Sequence, residues 1–97
     1  MHTAYPIIQP FIDYLKFERR FSKHTITSYE RDLISFFDYL QVQYNSIPIE
    51  QLSHIYIRGW LASLKDEGLT SKSINRKIST LRSFFKYQLK VGVIRQT

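Results

Sequence analysis

The residues best suited to chemistry in this sequence are the cations of the stretch SKSINRKISTLRSFFKYQLK, residues 71–90. This stretch holds six lysines and arginines and no aspartate or glutamate, although the whole chain has eight acids. Lysine and arginine neutralise phosphates, and serine, threonine and asparagine donate hydrogen bonds to phosphates or to base edges. The composition of residues 71–90 therefore predicts binding to an anionic partner.

The charge of the chain is concentrated toward its C-terminal third. Residues 1–67 carry seven basic and eight acidic side chains, residues 68–97 carry seven basic and no acidic ones, and the net charge is +6. This asymmetry favours a nucleic acid or an anionic membrane surface as partner. A membrane-surface helix would place bulky apolar groups beside its cations, whereas small hydroxyl and amide residues lie there in this chain. Nucleic acid is the better interpretation, and a solvated basic helix is the alternative.

No catalytic or metal-binding constellation is evident in the sequence. His2, His24 and His54 stand alone, without a second ligand at helical spacing, and the three glycines do not form a phosphate-binding loop. The chain has no cysteine, which excludes disulfides and cysteine-ligated zinc. We assign the tyrosines, Tyr87 included, to packing. The sequence predicts a non-catalytic domain without cofactor or metal.

The length of 97 residues fits one small domain with a single modest core. No apolar run approaches the ~18 residues of a membrane span, and the N-terminus lacks the basic start and apolar run of a signal peptide. We expect a soluble, cytoplasmic domain. Its helical core should cover about residues 8–92, and residues 93–97 should begin a linker.

Apolar residues recur at helical spacing and predict an all-α bundle of four segments. Caps and breakers set the limits of these segments. The predicted limits are residues 8–20, an N-cap at Ser22 to a break before Pro48, an N-cap at Ser53 to Gly68, and an N-cap at Thr70 or Ser71 to Gly92. Gly59 lies inside the third segment and indicates close approach of another helix.

Each segment has one apolar face that should form the core. The predicted core residues are Phe11, Ile12, Leu15 and Arg19 in the first segment; Ile26, Tyr29, Leu33, Phe37, Leu40 and Tyr44 in the second; Ile57, Trp60, Leu61 and Leu64 in the third; and Ile74, Ile78, Leu81, Phe85 and Leu89 in the fourth. The opposite faces of the second and fourth segments are polar and are predicted to be exposed. Their residues are His24, Thr27, Ser28, Arg31 and Ser35 in the second, and Lys72, Asn75, Arg76, Ser79, Ser83, Lys86 and Lys90 in the fourth.

Two runs of the sequence resemble a known family. The first is S-x-x-T-x-x-x-Y-x-x-D-L-x-x-F, residues 22–36, and the second is S-I-N-R-K-I-S-T-L-R-S-F-F-x-Y, residues 73–87. In this order, with the GLTSKSI turn leading into the second run, they resemble the N-terminal core-binding domain of tyrosine recombinases, the phage-integrase and Xer group. The likeness covers about residues 11–94. It implies a compact four-to-five-helix, SAM-like bundle that forms half of a C-shaped clamp around duplex DNA.

The resemblance implies that the second and fourth helices lie against the major groove of a recombination half-site. The side chains it places at DNA are Lys23, His24, Thr25, Thr27, Ser28, Arg31, Lys72, Ser73, Asn75, Arg76, Lys77 and Ser79. Thr25, Ser73 and Lys77 rest on the resemblance, because they lie beside the outward faces. Lys86 and Lys90 come from the outward face of the fourth helix. The expected phosphate-neutralising residues are Lys72, Arg76, Lys86 and Lys90, and the expected base-edge residues are Asn75, Arg76, Thr27 and Ser28.

The family keeps its nucleophilic tyrosine, with the activating arginine, lysine and histidine, in a C-terminal domain. The resemblance therefore implies that these 97 residues cleave no DNA and that a longer parent chain supplies the catalytic domain. Full recombinases assemble as tetramers on paired sites, and the isolated domain is expected to be a monomer. Two other functions stay open: a free-standing helix-turn-helix regulator that binds DNA, and a helical protein-interaction domain whose basic face meets an acidic partner.

Overall fold

A computed structural model describes residues 5–95 of the protein as four α-helices joined by short connections. They are α1 (Ile8–Phe17), α2 (Lys23–Tyr44), α3 (His54–Asp66) and α4 (Ser71–Lys90), and a 3₁₀ turn, Ile49–Gln51, precedes α3. No strand occurs in the described range, so the all-α prediction is confirmed. Among the residues discussed above, His2, Gln96 and Thr97 lie outside the described residues.

Hydroxyl caps fix the starts of α2 and α4. The Oγ of Ser22 accepts the backbone N–H of Thr25 at 3.2 Å, and the Oγ1 of Thr70 accepts that of Ser73 at 3.2 Å. Each bond satisfies a backbone donor that has no partner inside the helix. Ser53 precedes α3 as predicted, but its side chain makes no cap hydrogen bond.

The helix ends agree with the prediction at two glycines and differ at α1. Gly68 and Gly92 follow α3 and α4 with φ of +96° and +81°, the left-handed geometry that glycine adopts without a steric cost. The helix α1 ends at Phe17, because the chain turns at Arg20 with φ of +53°. Arg19 consequently lies outside the helix and is exposed, whereas the sequence predicted it on the core face.

Aromatic side chains from all four helices build one core. The ring of Phe84 on α4 lies 5.5 Å from that of Phe11 on α1 and 5.8 Å from that of Phe37 on α2. On the other side of α2, Phe36 packs edge-on against Trp60 of α3 at 5.2 Å. These five rings are almost entirely buried. Edge-to-face packing of this kind adds to the free energy gained by burying the rings.

The helices α2 and α4 run in the same general direction, with α3 antiparallel to both. Phe36 of α2 contacts Trp60 of α3, and Tyr44 of α2 contacts Tyr56 of α3. Residue numbers rise along α2 where they fall along α3, so these two helices are antiparallel. The short turn 67–70 then reverses the chain into α4. The N-terminal halves of α2 and α4 therefore lie at the same end of the bundle.

The helix α4 is rotated relative to the prediction. The residues that it buries are Thr80, Leu81, Phe84 and Gln88. Leu81 alone of the predicted stripe is fully buried, and Leu89 is 41% exposed. The helix α2 shows a smaller shift, because Asp32 and Phe36 are buried and Tyr44 is 43% exposed. Apolar spacing alone missed both shifts, since three of the buried side chains, Asp32, Thr80 and Gln88, are polar.

The residues after α4 pack on the domain as far as Ile94. The backbone N–H groups of Val93 and Ile94 donate to the carbonyl of Gln88 at 3.0 and 3.4 Å, and Ile94 is 7% exposed. The sequence predicted a linker from residue 93 onward, whereas Ile94 belongs to the folded unit. Within residues 5–95, no helix has both the length and the apolar character needed to cross a membrane.

Candidate nucleic-acid interface

The helix α4 presents cations along its whole length and carries no carboxylate. The exposed ones are Lys72, Arg76, Arg82, Lys86 and Lys90. Arg82 was not among the predicted contact residues, and the sixth cation, Lys77, is largely covered. At 1.5 Å per residue the helix is about 30 Å long, so cations at its two ends cannot serve one compact site.

The predicted contact residues in the N-terminal half of α4 are mostly accessible. Those that are exposed are Lys72, Asn75, Arg76 and Ser79. Ser73 is half-buried. Its backbone N–H donates to the hydroxyl of the cap Thr70, and its own hydroxyl lies 3.3 Å from that of Thr70. Ser73 therefore has a structural role in starting the helix.

The corresponding half of α2 is accessible on one side. The exposed residues are Lys23, His24 and Arg31, and the half-buried ones are Thr25, Thr27 and Ser28. The hydroxyl of Thr25 lies 2.9 Å from that of Ser22, which repeats the arrangement at the start of α4. We name the exposed side chains at this end of both helices the α2/α4 surface. It consists of Lys23, His24, Arg31, Lys72, Asn75, Arg76 and Ser79.

A buried carboxylate joins the two helices directly behind this surface. Asp32 of α2 is 1% exposed. Its Oδ1 accepts from the Nζ of Lys77 at 2.7 Å and from the Nη2 of Arg76 at 3.0 Å, and its Oδ2 accepts from the hydroxyl of Thr80 at 2.8 Å. These are the two ion pairs found within residues 5–95. A carboxylate this deeply buried is tolerated because cations and a hydroxyl satisfy it.

The network changes how two predicted contact residues are understood. Only 12% of the Lys77 side chain is exposed, and its ammonium is held by Asp32. Lys77 therefore lies behind the α2/α4 surface, whereas the family resemblance placed it at DNA. Arg76 was predicted as a free outward cation. It is paired with Asp32, and half of its side chain, 50%, stays exposed.

Sequence reasoning missed Asp32 as a member of the site. The signal for it was present, because Asp32 lies between Tyr29 and Phe36 on the inward side of α2, where an acid needs a buried partner. Lys77 and Thr80 lie three residues apart on the inward side of α4, which is the spacing of side chains that share a helix face. Matching these polar positions on two helices would have predicted both the pairing and the rotation of α4.

The last two predicted contact residues lie away from the α2/α4 surface. Lys86 is exposed on α4. Lys90 follows Arg76 by fourteen residues, or about 21 Å along the helix axis, and its Nζ lies 5.0 Å from the centre of the Tyr14 ring of α1. The structure therefore separates Lys86 and Lys90 from the α2/α4 surface.

The fold and this surface define a class: a small all-α domain in which two parallel helices carry basic, hydroxyl and amide side chains at one end. Residues 8–92 match the family described as phage integrase, N-terminal SAM-like domain. The chain belongs to this family, and the resemblance drawn from residues 22–36 and 73–87 is confirmed. The matched part is the N-terminal SAM-like domain of tyrosine recombinases and not their catalytic domain.

Curated relatives agree with the family. The chain is 40% identical over 84 residues to the tyrosine recombinase XerC of Listeria innocua serovar 6a, covering 87% of this chain and 28% of the relative. It is 37% identical over 94 residues to XerC of Alcanivorax borkumensis, covering 97% and 29%. It is 34% identical over 83 residues to XerD of Oceanobacillus iheyensis, covering 86% and 28%. The chain thus spans less than a third of these relatives, and no solved structure matches it.

Proposed function

We propose that this chain is the DNA-binding module of a site-specific tyrosine recombinase and that α2 and α4 grip a recombination half-site. The observation that carries the proposal is the α2/α4 surface, where two parallel helices present cations beside hydroxyl and amide groups. A helix is 10–12 Å across, and the major groove, roughly 12 Å wide, admits one. The names of the relatives, tyrosine recombinases XerC and XerD, support the same function.

The exposed side chains divide by chemistry into two groups. Lysine ammonium groups are compact charges without directional preference, which suits Lys72, Lys86 and Lys90 to neutralising phosphates. Asn75 offers both a donor and an acceptor for a base edge. The half-buried hydroxyls of Thr27 and Ser28 have a shorter reach, and they would contact whichever strand lies closest to α2.

Under this proposal, strand cleavage belongs to the catalytic domain of a longer parent protein, which would assemble as a tetramer on paired sites. The domain alone would bind DNA as a monomer. The surroundings of Tyr87 support a packing role and not a nucleophilic one. Its ring is half-buried and lies 4.8 Å from the ring of Tyr14 and 5.6 Å from that of Phe11, with no basic group bonded to its hydroxyl among the described residues.

The test is a salt-dependent titration of duplex DNA by the 97-residue chain, followed by fluorescence anisotropy. Each phosphate contact should contribute about 0.9 to the slope of log K against log salt. Lys72→Gln should lower that slope by about one contact. Arg58→Gln, on the exposed side of α3, is the matched control and should leave it unchanged. Binding without salt dependence, or an equal effect of both variants, would overturn the proposal.

Two further measurements separate the alternatives. Unrelated duplex DNA should displace the labelled duplex from a DNA-binding domain. If the domain instead binds an acidic protein, unrelated duplex DNA should not displace that partner. A footprint covering one short, asymmetric half-site is expected. A footprint of two half-sites about one helical turn apart would instead indicate a dimeric helix-turn-helix regulator.

A further inference from the structure

We propose that Asp32 is a specificity-determining positioning residue, which fixes the guanidinium of Arg76 so that Arg76 contacts a base edge and not a phosphate. This inference rests on the proposed function and assigns separate roles to two neighbouring cations of the same surface. It concerns a residue that cannot touch DNA itself, because Asp32 is 1% exposed.

Arg76 differs from the other exposed cations of α4 because a buried carboxylate holds it. Its Nη2 donates to the Oδ1 of Asp32 at 3.0 Å, while 50% of the side chain faces solvent. No second hydrogen bond of the guanidinium is found within the part of the chain that the structure describes. Arginine has five N–H donors in a planar fork, so one anchored arm leaves the others available in a fixed plane.

The anchor is itself rigid. Asp32 accepts hydrogen bonds from Lys77 at 2.7 Å and from Thr80 at 2.8 Å, and the Thr80 hydroxyl also lies 3.3 Å from the carbonyl of Arg76. The carboxylate cannot rotate without breaking these bonds. One arm of Arg76 is therefore fixed to this carboxylate, and the carbonyl of Arg76 lies beside the Thr80 hydroxyl that donates to the same carboxylate.

A fixed planar fork suits base readout better than phosphate neutralisation. A bidentate contact with a guanine edge needs the guanidinium in one orientation, and anchoring removes most of the rotamer entropy that such a contact would cost. A phosphate accepts a cation from many directions, so a mobile lysine serves it equally well. Lys72 has no acidic partner within the described residues and fits that second role.

Substituting a phosphate-binding residue and substituting a base-reading residue should change different properties of DNA binding. A phosphate-binding residue contributes equally to every sequence and to the salt slope. A base-reading residue contributes to discrimination and leaves the slope unchanged. Removing the charge of Asp32 should free Arg76 and raise the net positive charge, so that non-specific binding tightens while discrimination falls.

The experiment uses the 97-residue chain and two duplexes, one enriched by this chain from a randomised pool and one scrambled version of it. Dissociation constants for both are measured at several salt concentrations. Arg76→Lys, which keeps the charge and loses the fork, should reduce the preference for the enriched duplex by about 5- to 150-fold. It should leave the scrambled affinity within about twofold. Lys72→Gln, the matched control, should weaken both duplexes alike and lower the slope by about 0.9.

Asp32→Asn should lose the preference as Arg76→Lys does and bind the scrambled duplex more tightly. Thermal unfolding followed by circular dichroism establishes that the variant is folded at the assay temperature. If it is unfolded, Asp32→Asn/Lys77→Met replaces it, because this pair leaves no buried ammonium without a partner.

Three results would overturn the inference: full preference in a folded Asp32 variant, full preference in Arg76→Lys, or a wild-type chain that enriches no sequence. All three leave the proposed function standing if binding is salt-dependent. A wild-type chain that binds neither duplex would instead overturn the proposed function.

Discussion

The helix α2 is joined to α3 and to α4 by different chemistry. Its contact with α3 is made by rings, with Phe36 against Trp60 and Tyr44 against Tyr56. Its contact with α4 includes the carboxylate of Asp32, which accepts hydrogen bonds from three donor atoms of α4. Ring packing buries apolar area and is tolerant of small rotations, whereas hydrogen bonds require specific distances and angles.

The ring contact mainly stabilises the fold, whereas the Asp32 network mainly sets the orientation of α4. The ring contact supplies most of the free energy that holds α2 and α3 together, because stability follows buried apolar area. The Asp32 network contributes less, since desolvating the charges offsets much of their attraction. It does specify one rotation of α4, and this rotation decides which cations face outward.

The largest effect is expected from Phe36→Ala. Phe36 is fully buried against Trp60, and removing such a ring typically costs roughly 3–5 kcal/mol of unfolding free energy. Phe17→Ala is the matched control, because Phe17 is 67% exposed and surface changes usually stay within about 0.5 kcal/mol. Urea denaturation measures both. Similar losses in the two variants would mean that the ring contact is not the main source of stability.

A second large effect is expected from Asp32→Ala, which leaves Lys77 without its carboxylate. Breaking a buried pair from one side costs about 3 kcal/mol or more. The double variant Asp32→Ala/Lys77→Met removes both charges and should recover most of the loss. The measurement is a double-mutant cycle in urea. A double variant as unstable as Asp32→Ala would show that the network stabilises the fold through Arg76 and Thr80 instead.

A smaller effect tests the close approach of α2 and α3 at Gly59. A Cβ added there would lie 2.5 Å from the hydroxyl of Tyr39 but 3.5 Å from its Cζ. Alanine raises helix propensity by about 1 kcal/mol over glycine, so Gly59→Ala should stabilise a Tyr39→Phe background by about that much. In the wild-type background the clash should cancel the gain. Equal effects of Gly59→Ala in both backgrounds would contradict the close contact.

The sequence predicted the features that apolar spacing and caps determine. The four helices, the caps at Ser22 and Thr70, and the glycine stops at Gly68 and Gly92 are confirmed, because local hydrogen bonding and backbone sterics specify them. Close approach at Gly59 is confirmed as well. Caps and helix ends depend on residues that are close in sequence. A glycine inside a helix commonly indicates that another helix approaches closely.

The rotation of α4 could not be obtained from the same signals. Its apolar residues span a wide arc, so that several rotations bury a similar area, and the polar side chain of Thr80 decides between them by reaching Asp32. That pairing joins residues 48 positions apart. For the candidate site, most side chains that the sequence predicted to be exposed near the starts of α2 and α4 are exposed, but Thr27 and Ser28 are half-buried. The sequence did not identify that Lys77 is covered and that Arg76 is held.

The smallest effect concerns a second carboxylate of α2, which is exposed. The hydroxyl of Tyr5 donates a hydrogen bond to Asp38. This bond raises the pKa of Tyr5 from its ordinary 10.0 to about 12, with burial and the charge of Asp38 contributing less. Because the folded state favours the protonated tyrosine, the stabilisation is complete below pH 10 and is lost as the pH rises from 10 to about 12.

Absorbance at 295 nm measures this ionisation, and subtracting the titration of Tyr5→Phe isolates Tyr5. Asp38→Asn should bring the pKa of Tyr5 back toward 10, because the carboxylate is the largest cause of the shift. If Tyr5 ionised near pH 10 in the unaltered chain, the bond would not hold in solution. The exposed carboxylate at Asp38 would then contribute nothing, and Asp32 would be the one acid of α2 whose hydrogen bonds shape the fold.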